Sequence, residues 1–316
     1  MTLSEDTGPE NTAPAAVAAE DQRCGFVAVV GAPNAGKSTL VNALVGQKVA
    51  IVSPKAQTTR VRLMGVALQG ASQILLVDTP GIFEPRRRLD RAMVAAAWGG
   101  AQDADLIAFV IDAKTGLTKR LEPLVATLAE RREPKLVILN KVDATPKEKL
   151  LDLAVRLQQQ LNPEEIFMIS ATTGDGVPDL KTALAKRVPA GPWHFPEDQV
   201  SDATDRMMAA EVTREQLYLQ LHAELPYASA VETEKYEERK DGSVAIYQQI
   251  LVGRDTQKAI VLGAKGTRLK EIGSRARAEL EHLLDRKVHL FLHVKVNPKW
   301  EDDRGLYKEI GLDWVE

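Results

Sequence analysis

The glycine-rich stretch "GAPNAGKST" at residues 31–39 constrains the fold more than any other part of the chain. It follows "FVAVV" at residues 26–30, an apolar run typical of a buried parallel strand, and it precedes "LVNALVG", whose apolar residues recur at helical spacing. A tight turn between a strand and a helix lets successive backbone N–H groups point at a polyphosphate. The pattern therefore predicts a phosphate-binding loop.

The residue types inside this loop suit a nucleotide with a bridging metal ion. Lys37 is expected to neutralise the β and γ phosphates, and the Ser38 hydroxyl is expected to ligate magnesium. A plain turn before a helix cap could have the same composition, and the motifs further along the chain argue against that alternative. The predicted nucleotide-binding residues of the loop are Gly31, Ala32, Pro33, Asn34, Ala35, Gly36, Lys37, Ser38 and Thr39.

The order of apolar and helical patterns predicts two domains in the 316 residues. Up to residue 189, fully apolar runs alternate with helical patterns, which predicts an α/β P-loop domain with a mostly parallel sheet over residues 23–189. The Pro-rich stretch at residues 188–198 predicts a linker over residues 190–202. A helix, a hairpin turn at "KDGS", two helices around "GAKG" and a strand then predict a smaller α+β domain over residues 203–316.

Composition and charge narrow the classes of protein that remain. Residues 1–22 are rich in Ala, Pro, Thr and Glu and are predicted to be a disordered extension. The single cysteine excludes an intramolecular disulfide and suits a reducing cytoplasm. No apolar stretch is long enough to span a membrane. The net charge of −3 means that any nucleic-acid binding must come from a local basic surface.

The motif "DTPG" at residues 78–81 ends the apolar run "QILLVD", and ligands of open α/β sheets bind beyond the carboxyl ends of strands. Asp78 is expected to hold magnesium through water, and the Gly81 N–H is expected to meet the γ-phosphate. The predicted nucleotide-binding residues here are Asp78, Thr79, Pro80 and Gly81. Ile82 follows, and its apolar side chain cannot orient water as the glutamine of Ras-like enzymes does, so hydrolysis is expected to be slow.

Two further strand ends predict recognition of guanine. Asp143 in "NKVD" offers two acceptor oxygens to the N1–H and exocyclic amine of guanine, a donor pair that adenine lacks. Asn140 is expected to tie this loop to the phosphate loop, and the Lys141 stem is expected to lie against the base. Ser170 and Ala171 in the "SA" motif should present a backbone N–H to the guanine O6.

The segment "QTTR" at residues 57–60 is the candidate switch. One threonine hydroxyl would complete the magnesium shell only when the γ-phosphate is present, and its loss would free the segment. Thr59 is the preferred candidate, and the pattern leaves Thr58 open as the alternative. We thus expect Ser38, Thr59 and Asp78 to hold magnesium, and Lys37, Thr59 and Gly81 to support catalysis.

The stretch "VLGAKGTRLKEIG" at residues 261–273 has the form of a KH motif, whose loop clamps the backbone of unpaired nucleotides. A helical hairpin with a glycine turn is the plainer alternative. Basic residues outnumber acidic ones nine to five between residues 254 and 287, which favours an RNA surface. The helical pattern from about residue 203 to 224 is expected to pack on the second sheet. The predicted RNA-binding residues are Gly263, Ala264, Lys265, Gly266, Arg268 and Lys270.

Together these motifs, with "EVTREQLYLQLHAELPY", make the chain resemble the Era family of bacterial Ras-like GTPases with a KH domain over about residues 24–316. The resemblance implies a type II KH fold, GTP and GDP with magnesium, and a potassium ion held with the help of Asn34. It also implies binding of the single-stranded 3′ end of 16S ribosomal RNA and assistance in assembly of the small (30S) subunit. Peripheral association with the inner membrane is implied as well. The protein is further expected to be cytoplasmic and monomeric.

Three other functions fit parts of the pattern. A tRNA-modifying GTPase shares "TTR" and "DTPG" but needs a further domain that no segment here supplies. An RNA-binding protein with a degenerate nucleotide fold would have lost Lys37, Asp78 or Asp143, and all three are present. A membrane-associated signalling GTPase with secondary RNA binding remains the alternative to a ribosomal role.

Overall fold

The computed structural model of the protein describes residues 21–315 except 56, 61, 86, 223 and 310. The predicted disordered extension therefore lies outside the described residues, apart from its last two positions. Within the described chain, none of the helices is long and apolar enough to cross a membrane.

The first domain is built on a six-stranded sheet with strand order β2-β3-β1-β4-β5-β6. Every neighbouring pair is parallel except β2 and β3, which confirms the predicted α/β domain with a mostly parallel sheet. The antiparallel edge strand β2 was missed by the sequence analysis. The strands are β1 (Arg23–Val30), β2 (Leu63–Gln69), β3 (Ser72–Asp78), β4 (Leu106–Asp112), β5 (Lys135–Asn140) and β6 (Glu165–Ile169).

Helices cover both faces of this sheet, as the apolar composition of its strands requires. The first and fifth helices pack on one face, and the third and fourth pack on the other. Gly36 has a left-handed backbone with φ of 95° immediately before the first helix. The helices are α1 (Lys37–Val45), α2 (Arg88–Gln102), α3 (Glu122–Glu130), α4 (Lys147–Leu161) and α5 (Val177–Arg187).

The second domain has a three-stranded sheet in the order β7-β8-β9, in which β7 and β8 are antiparallel and β8 and β9 are parallel. Three helices pack on one face of the sheet, which confirms the predicted smaller α+β domain. Its elements are α6 (Asp205–Gln220), β7 (Ser229–Glu238), β8 (Val244–Val252), α7 (Asp255–Leu262), α8 (Thr267–Leu284), β9 (Val288–Val296) and α9 (Arg304–Glu309).

The stretch predicted as a linker lies against the edge of the first sheet. The Val66 N–H donates to the Val200 carbonyl at 2.8 Å, and the Gln73 side-chain amide donates to the Phe195 carbonyl at 2.9 Å. These hydrogen bonds hold residues 190–202 to the first domain. The start of α6 is therefore attached to the first sheet through this stretch.

Candidate nucleotide site and RNA interface

The phosphate loop joins β1 to α1 at the carboxyl edge of the sheet, where the sequence places it. A Cβ atom on Gly36 would overlap the side-chain amide of Asn140, so the close approach of these two loops requires glycine. The cleft above the loop is lined on one side by loop residues and Gly81, and on the other by residues 51–53 and 57–59. This arrangement brings the predicted loop, "DTPG" and switch residues to one cavity.

Lys37 is the first residue of α1 and is only 6% exposed. Its ammonium group donates to the Gly31 carbonyl at 3.2 Å and to the Ala32 carbonyl at 3.1 Å. Burial lowers the pKa of Lys37 to about 8, against the opposing attraction of Asp78. Among the described residues, the hydrogen-bond partners of this ammonium group are carbonyl oxygens alone, and such a buried cation at a cleft is arranged to receive an anion.

Three oxygen-bearing side chains meet beside Lys37. The Ser38 hydroxyl lies 2.7 Å from the Asp78 carboxylate and 2.8 Å from the Thr59 hydroxyl, which is itself 3.2 Å from Asp78. The second carboxylate oxygen of Asp78 is buried and has no hydrogen-bond partner among the described residues, and burial raises the pKa of Asp78. Hydroxyl and carboxylate oxygens are the donors that magnesium prefers, so this set, with its unpaired oxygen, fits the ion.

The two candidate threonines of the switch point in different directions. Thr59 is 7% exposed and faces Ser38 and Asp78. The Thr58 hydroxyl instead donates to the Lys55 carbonyl at 2.8 Å, within its own segment. The geometry thus favours Thr59 over Thr58 as the magnesium ligand, and this assignment stays a prediction.

Asn140, at the end of β5, connects three loops. Its side-chain amide donates to the Ala35 carbonyl at 2.9 Å, and its side-chain oxygen accepts from the N–H groups of Lys141 at 2.9 Å and Ala171 at 3.0 Å. The phosphate loop, "NKVD" and "SA" are therefore held together by one side chain. Asp143 is exposed on the following turn, where its carboxylate is open to a ligand.

Lys141 has a partner that the sequence analysis missed. Its ammonium group lies 2.8 Å from the Asp112 carboxylate and donates to the Asn34 carbonyl at 2.7 Å. Burial raises the pKa of Asp112, but the hydrogen bond and charge of Lys141 outweigh it and leave the pKa lowered. Asp112 ends β4, so the rule that chemistry follows strand ends could have found it.

The end of "DTPG" is joined to the phosphate loop, since the Ile82 N–H donates to the Gly31 carbonyl at 3.1 Å. A Cβ atom on Gly81 would lie 2.7 Å from the Pro33 nitrogen, so only glycine permits this approach. The Ile82 side chain packs against the apolar cluster of β4 and α3. It offers no polar group to water.

The "GAKG" loop lies between α7 and α8, as predicted. Gly263, Lys265 and Gly266 have positive φ values of 70°, 53° and 78°. Ala264 and Lys265 are exposed, and α8 begins directly after the loop with its N-terminal N–H groups. Arg268 and Lys270 lie in the first turn of α8, so the loop, helix end and basic side chains form one surface suited to phosphates.

Comparisons with known proteins decide the family. A family model described as 50S ribosome-binding GTPase matches residues 26–141, and a KH domain model matches residues 224–301. GTPase Era of Erythrobacter litoralis is 58% identical over 297 residues, which cover 93% of this chain and 98% of that protein. The chain belongs to the GTPase Era family. It is therefore a GTPase with a C-terminal KH domain.

Other members of the Era family agree along the whole chain. GTPase Era of a Bradyrhizobium strain is 54% identical over 314 residues, or 99% of each chain. A crystal structure of an Aquifex aeolicus Era variant bound to GDP and AlF4⁻ is 39% identical, with a TM-score of 0.87 over 92% of this chain and 99% of its own. Another Era crystal structure, with MgGDPNP and nucleotides 1506–1542 of 16S ribosomal RNA, has the same identity, TM-score and coverage.

In this Era-family chain the candidate switch at residues 57–60 and the stretch before it at residues 48–55, together called the switch segment below, are docked on the KH domain. Lys48 forms ion pairs with Glu215 at 2.6 Å and Glu279 at 2.9 Å, and Lys55 donates to the carbonyls of Tyr218 and Leu221 near the end of α6. The helical pattern of α6 predicted packing on the second sheet, and one face does pack there. Its other face, which binds the switch segment, was not foreseen.

Proposed function

We propose that this GTPase is a switch that binds the 3′ end of 16S ribosomal RNA through its KH domain and assists assembly of the small (30S) ribosomal subunit. One observation carries the proposal: Thr59 faces the nucleotide site while the segment around it is bonded to the KH domain. Gain or loss of the γ-phosphate would therefore change the contacts between this segment and the RNA-binding domain. The related Era structure with 16S RNA supports this choice of RNA.

The nucleotide is held by the residues gathered at the cleft. Lys37 and the N–H groups of the loop contact the phosphates, and the Gly81 N–H approaches the γ-phosphate. Asp143 accepts from guanine, while Asn140 keeps its loop in place. Ser38, Thr59 and Asp78 hold magnesium, which when bound neutralises charge on the β and γ phosphates.

Asn34 is proposed to help hold a potassium ion. Asn34 is exposed and has a left-handed backbone with φ of 63°, and its carbonyl accepts a hydrogen bond from the Lys141 ammonium group. Replacing potassium by sodium should slow turnover in the wild type but not in Asn34→Ala. Equal turnover in the two salts for the wild type would remove potassium from the proposal.

RNA binding is assigned to the "GAKG" loop with Lys265, Arg268 and Lys270. Gly266→Asp places a carboxylate in the clamp and should weaken binding of a short single-stranded RNA with the 3′-end sequence by about tenfold or more. Gly242→Asp is the matched control, because φ is 80° there against 78° at Gly266, and an added Cβ has open space at both. Equal RNA affinity in the two variants would contradict the assignment.

GTP turnover with and without this RNA, at fixed salt, tests the coupling between the two domains. We expect the RNA to change turnover in the wild type and in Gly242→Asp but not in Gly266→Asp. Unchanged turnover with RNA bound would leave two independent modules. We further propose a cytoplasmic monomer that associates peripherally with the inner membrane. Size-exclusion chromatography would test the monomeric state, and co-sedimentation with 30S subunits and with vesicles would test the two partners.

A further inference from the structure

We propose that the loop at residues 226–229 of the KH domain is the common receptor through which both nucleotide-sensing segments act, and that Arg60 and Arg87 are the positioning residues that contact it. The second segment, here the DTPG segment, comprises residues 78–85 and 87. This inference deepens the proposed switch by naming where the KH domain senses it.

Arg60 carries the signal from Thr59, its neighbour in the chain. Its guanidinium group donates to the Ser229 carbonyl at 2.7 Å, the Tyr227 carbonyl at 3.0 Å and the Pro226 carbonyl at 3.1 Å. The side chain is 3% exposed, and burial lowers the pKa of Arg60. Because neighbouring Cα atoms lie about 3.8 Å apart, a displacement of the Thr59 backbone would also displace Arg60 and strain these hydrogen bonds.

Tyr218 completes the attachment of Arg60 from the side of α6. Its hydroxyl accepts from Arg60 at 3.2 Å and donates to the Gln57 carbonyl at 3.2 Å. Two guanidinium groups lie over its ring, that of Arg60 at 5.8 Å from the ring centroid and that of Arg214 at 5.2 Å. The tyrosine is fully buried, so it fixes the direction from which Arg60 reaches the loop.

Arg87 reaches the same loop from the DTPG segment. Its guanidinium group donates to the Tyr227 carbonyl at 3.3 Å, the same oxygen that Arg60 contacts. It also pairs with Glu301 at 3.1 Å and with Asp90 at 3.2 Å, which hold it at the start of α2. One carbonyl oxygen of the KH domain is thus bonded to both segments that end at the nucleotide site.

The loop at residues 226–229 is connected to the RNA-binding loop through the sheet of the KH domain. Ser229 begins β7, which pairs with β8, and β8 leads directly into α7 and the "GAKG" loop. A shift of the 226–229 loop therefore acts on the sheet from which the RNA clamp is built. Arginine suits this role, since its planar fork can serve several carbonyls at once, whereas lysine is a single point charge.

Hydrogen exchange of the full-length protein tests the inference without any RNA. We expect the peptide at residues 224–231 to exchange at rates that differ by about fivefold or more between the GDP and GDPNP complexes, the lower end of ordinary couplings. In Arg60→Lys and Arg87→Lys the ratio of the exchange rates in the GDP and GDPNP complexes should fall toward one. Arg62→Lys, the same change at an exposed position of the adjoining chain, should keep it.

The inference would be overturned if Arg60→Lys kept the wild-type ratio of exchange rates between the two nucleotide complexes while melting at the same temperature as Arg62→Lys. It would also be overturned if the wild type exchanged equally in both complexes. The double variant adds a second criterion. Both arginines act on one carbonyl. The double variant should therefore lose less of the nucleotide-dependent exchange ratio, expressed as a free energy, than the sum of what the two single variants lose. Failure of RNA to bind would refute the proposed function yet leave these exchange rates as a separate result.

Discussion

Replacement of Asn140 by alanine is a direct test of how the three nucleotide loops are held. The side chain is 2% exposed, and it donates to the Ala35 carbonyl and accepts from the N–H groups of Lys141 and Ala171. Each lost hydrogen bond costs about 1 kcal/mol, so Asn140→Ala should lower the free energy of unfolding of the nucleotide-free first domain by about 3 kcal/mol.

The single cysteine supplies the assay. Cys24 lies in β1 and is 6% exposed, and burial raises the pKa of its thiol against a weaker opposing hydrogen bond at His194. A thiol reagent therefore reaches it when the domain opens. At 1.36 kcal/mol per tenfold, a loss of about 3 kcal/mol should accelerate labelling about 150-fold at constant pH and reagent concentration.

The control for this measurement is Asn297→Ala, which removes an asparagine that accepts from the Lys299 N–H in the other domain. Its labelling rate should stay within about twofold of wild type, because the hydrogen bond that it removes lies in the KH domain, and a change at a distant site without shared partners does not alter the opening of the first domain. If Asn140→Ala labelled no faster than this control, the three hydrogen bonds would not be what holds the loops together.

Three further predictions concern the nucleotide. Because burial lowers the pKa of Lys37 to about 8 and bound phosphates would raise it, GDP binding above pH 8 should take up a proton. The affinity should then fall by up to about tenfold per pH unit above 8 and be insensitive to this group below it, which calorimetry in two buffers of different ionisation enthalpy would check. Asp143→Asn replaces an acceptor by a donor, so GTP should bind about 100-fold more weakly and XTP, with a carbonyl at C2, should bind better than GTP in competition assays. Thr59→Val should slow magnesium-dependent GTP turnover by about tenfold or more, whereas Thr58→Val should stay within about twofold of wild type, and equal losses would refute the assignment of Thr59.

The nucleotide site could be predicted because its functional residues lie close together in short stretches of the sequence. A phosphate loop needs a strand, a glycine turn and a helix start within about ten residues, and its Lys and Ser stand in that same stretch. "DTPG", "NKVD" and "SA" follow apolar runs, and a parallel sheet brings such ends to one edge. Asp112 obeys the same rule and was overlooked, because a lone Asp after a strand carries no motif.

Contacts between distant parts of the chain had no such signature. Ser229 lies 169 positions from Arg60, and nothing in "QTTR" distinguishes a buried arginine from one in solvent. The helical pattern of α6 predicted packing on the second sheet but gave no sign that Glu211, Arg214 and Glu215 are all buried against the switch segment or each other. Charges can be buried only where their partners are present, and for Glu215 that partner is Lys48 of the other domain.

By itself, then, the sequence determined that this protein has a P-loop guanine-nucleotide site and a KH loop, because local backbone geometry and residue chemistry suffice for both. Only the tertiary structure shows that the Thr59 hydroxyl, not that of Thr58, points at Ser38 and Asp78, since the two hydroxyls differ only in the direction that the folded segment imposes. It also decided that the switch and DTPG segments meet one loop of the KH domain, since that meeting depends on how two domains are packed and not on any motif within either.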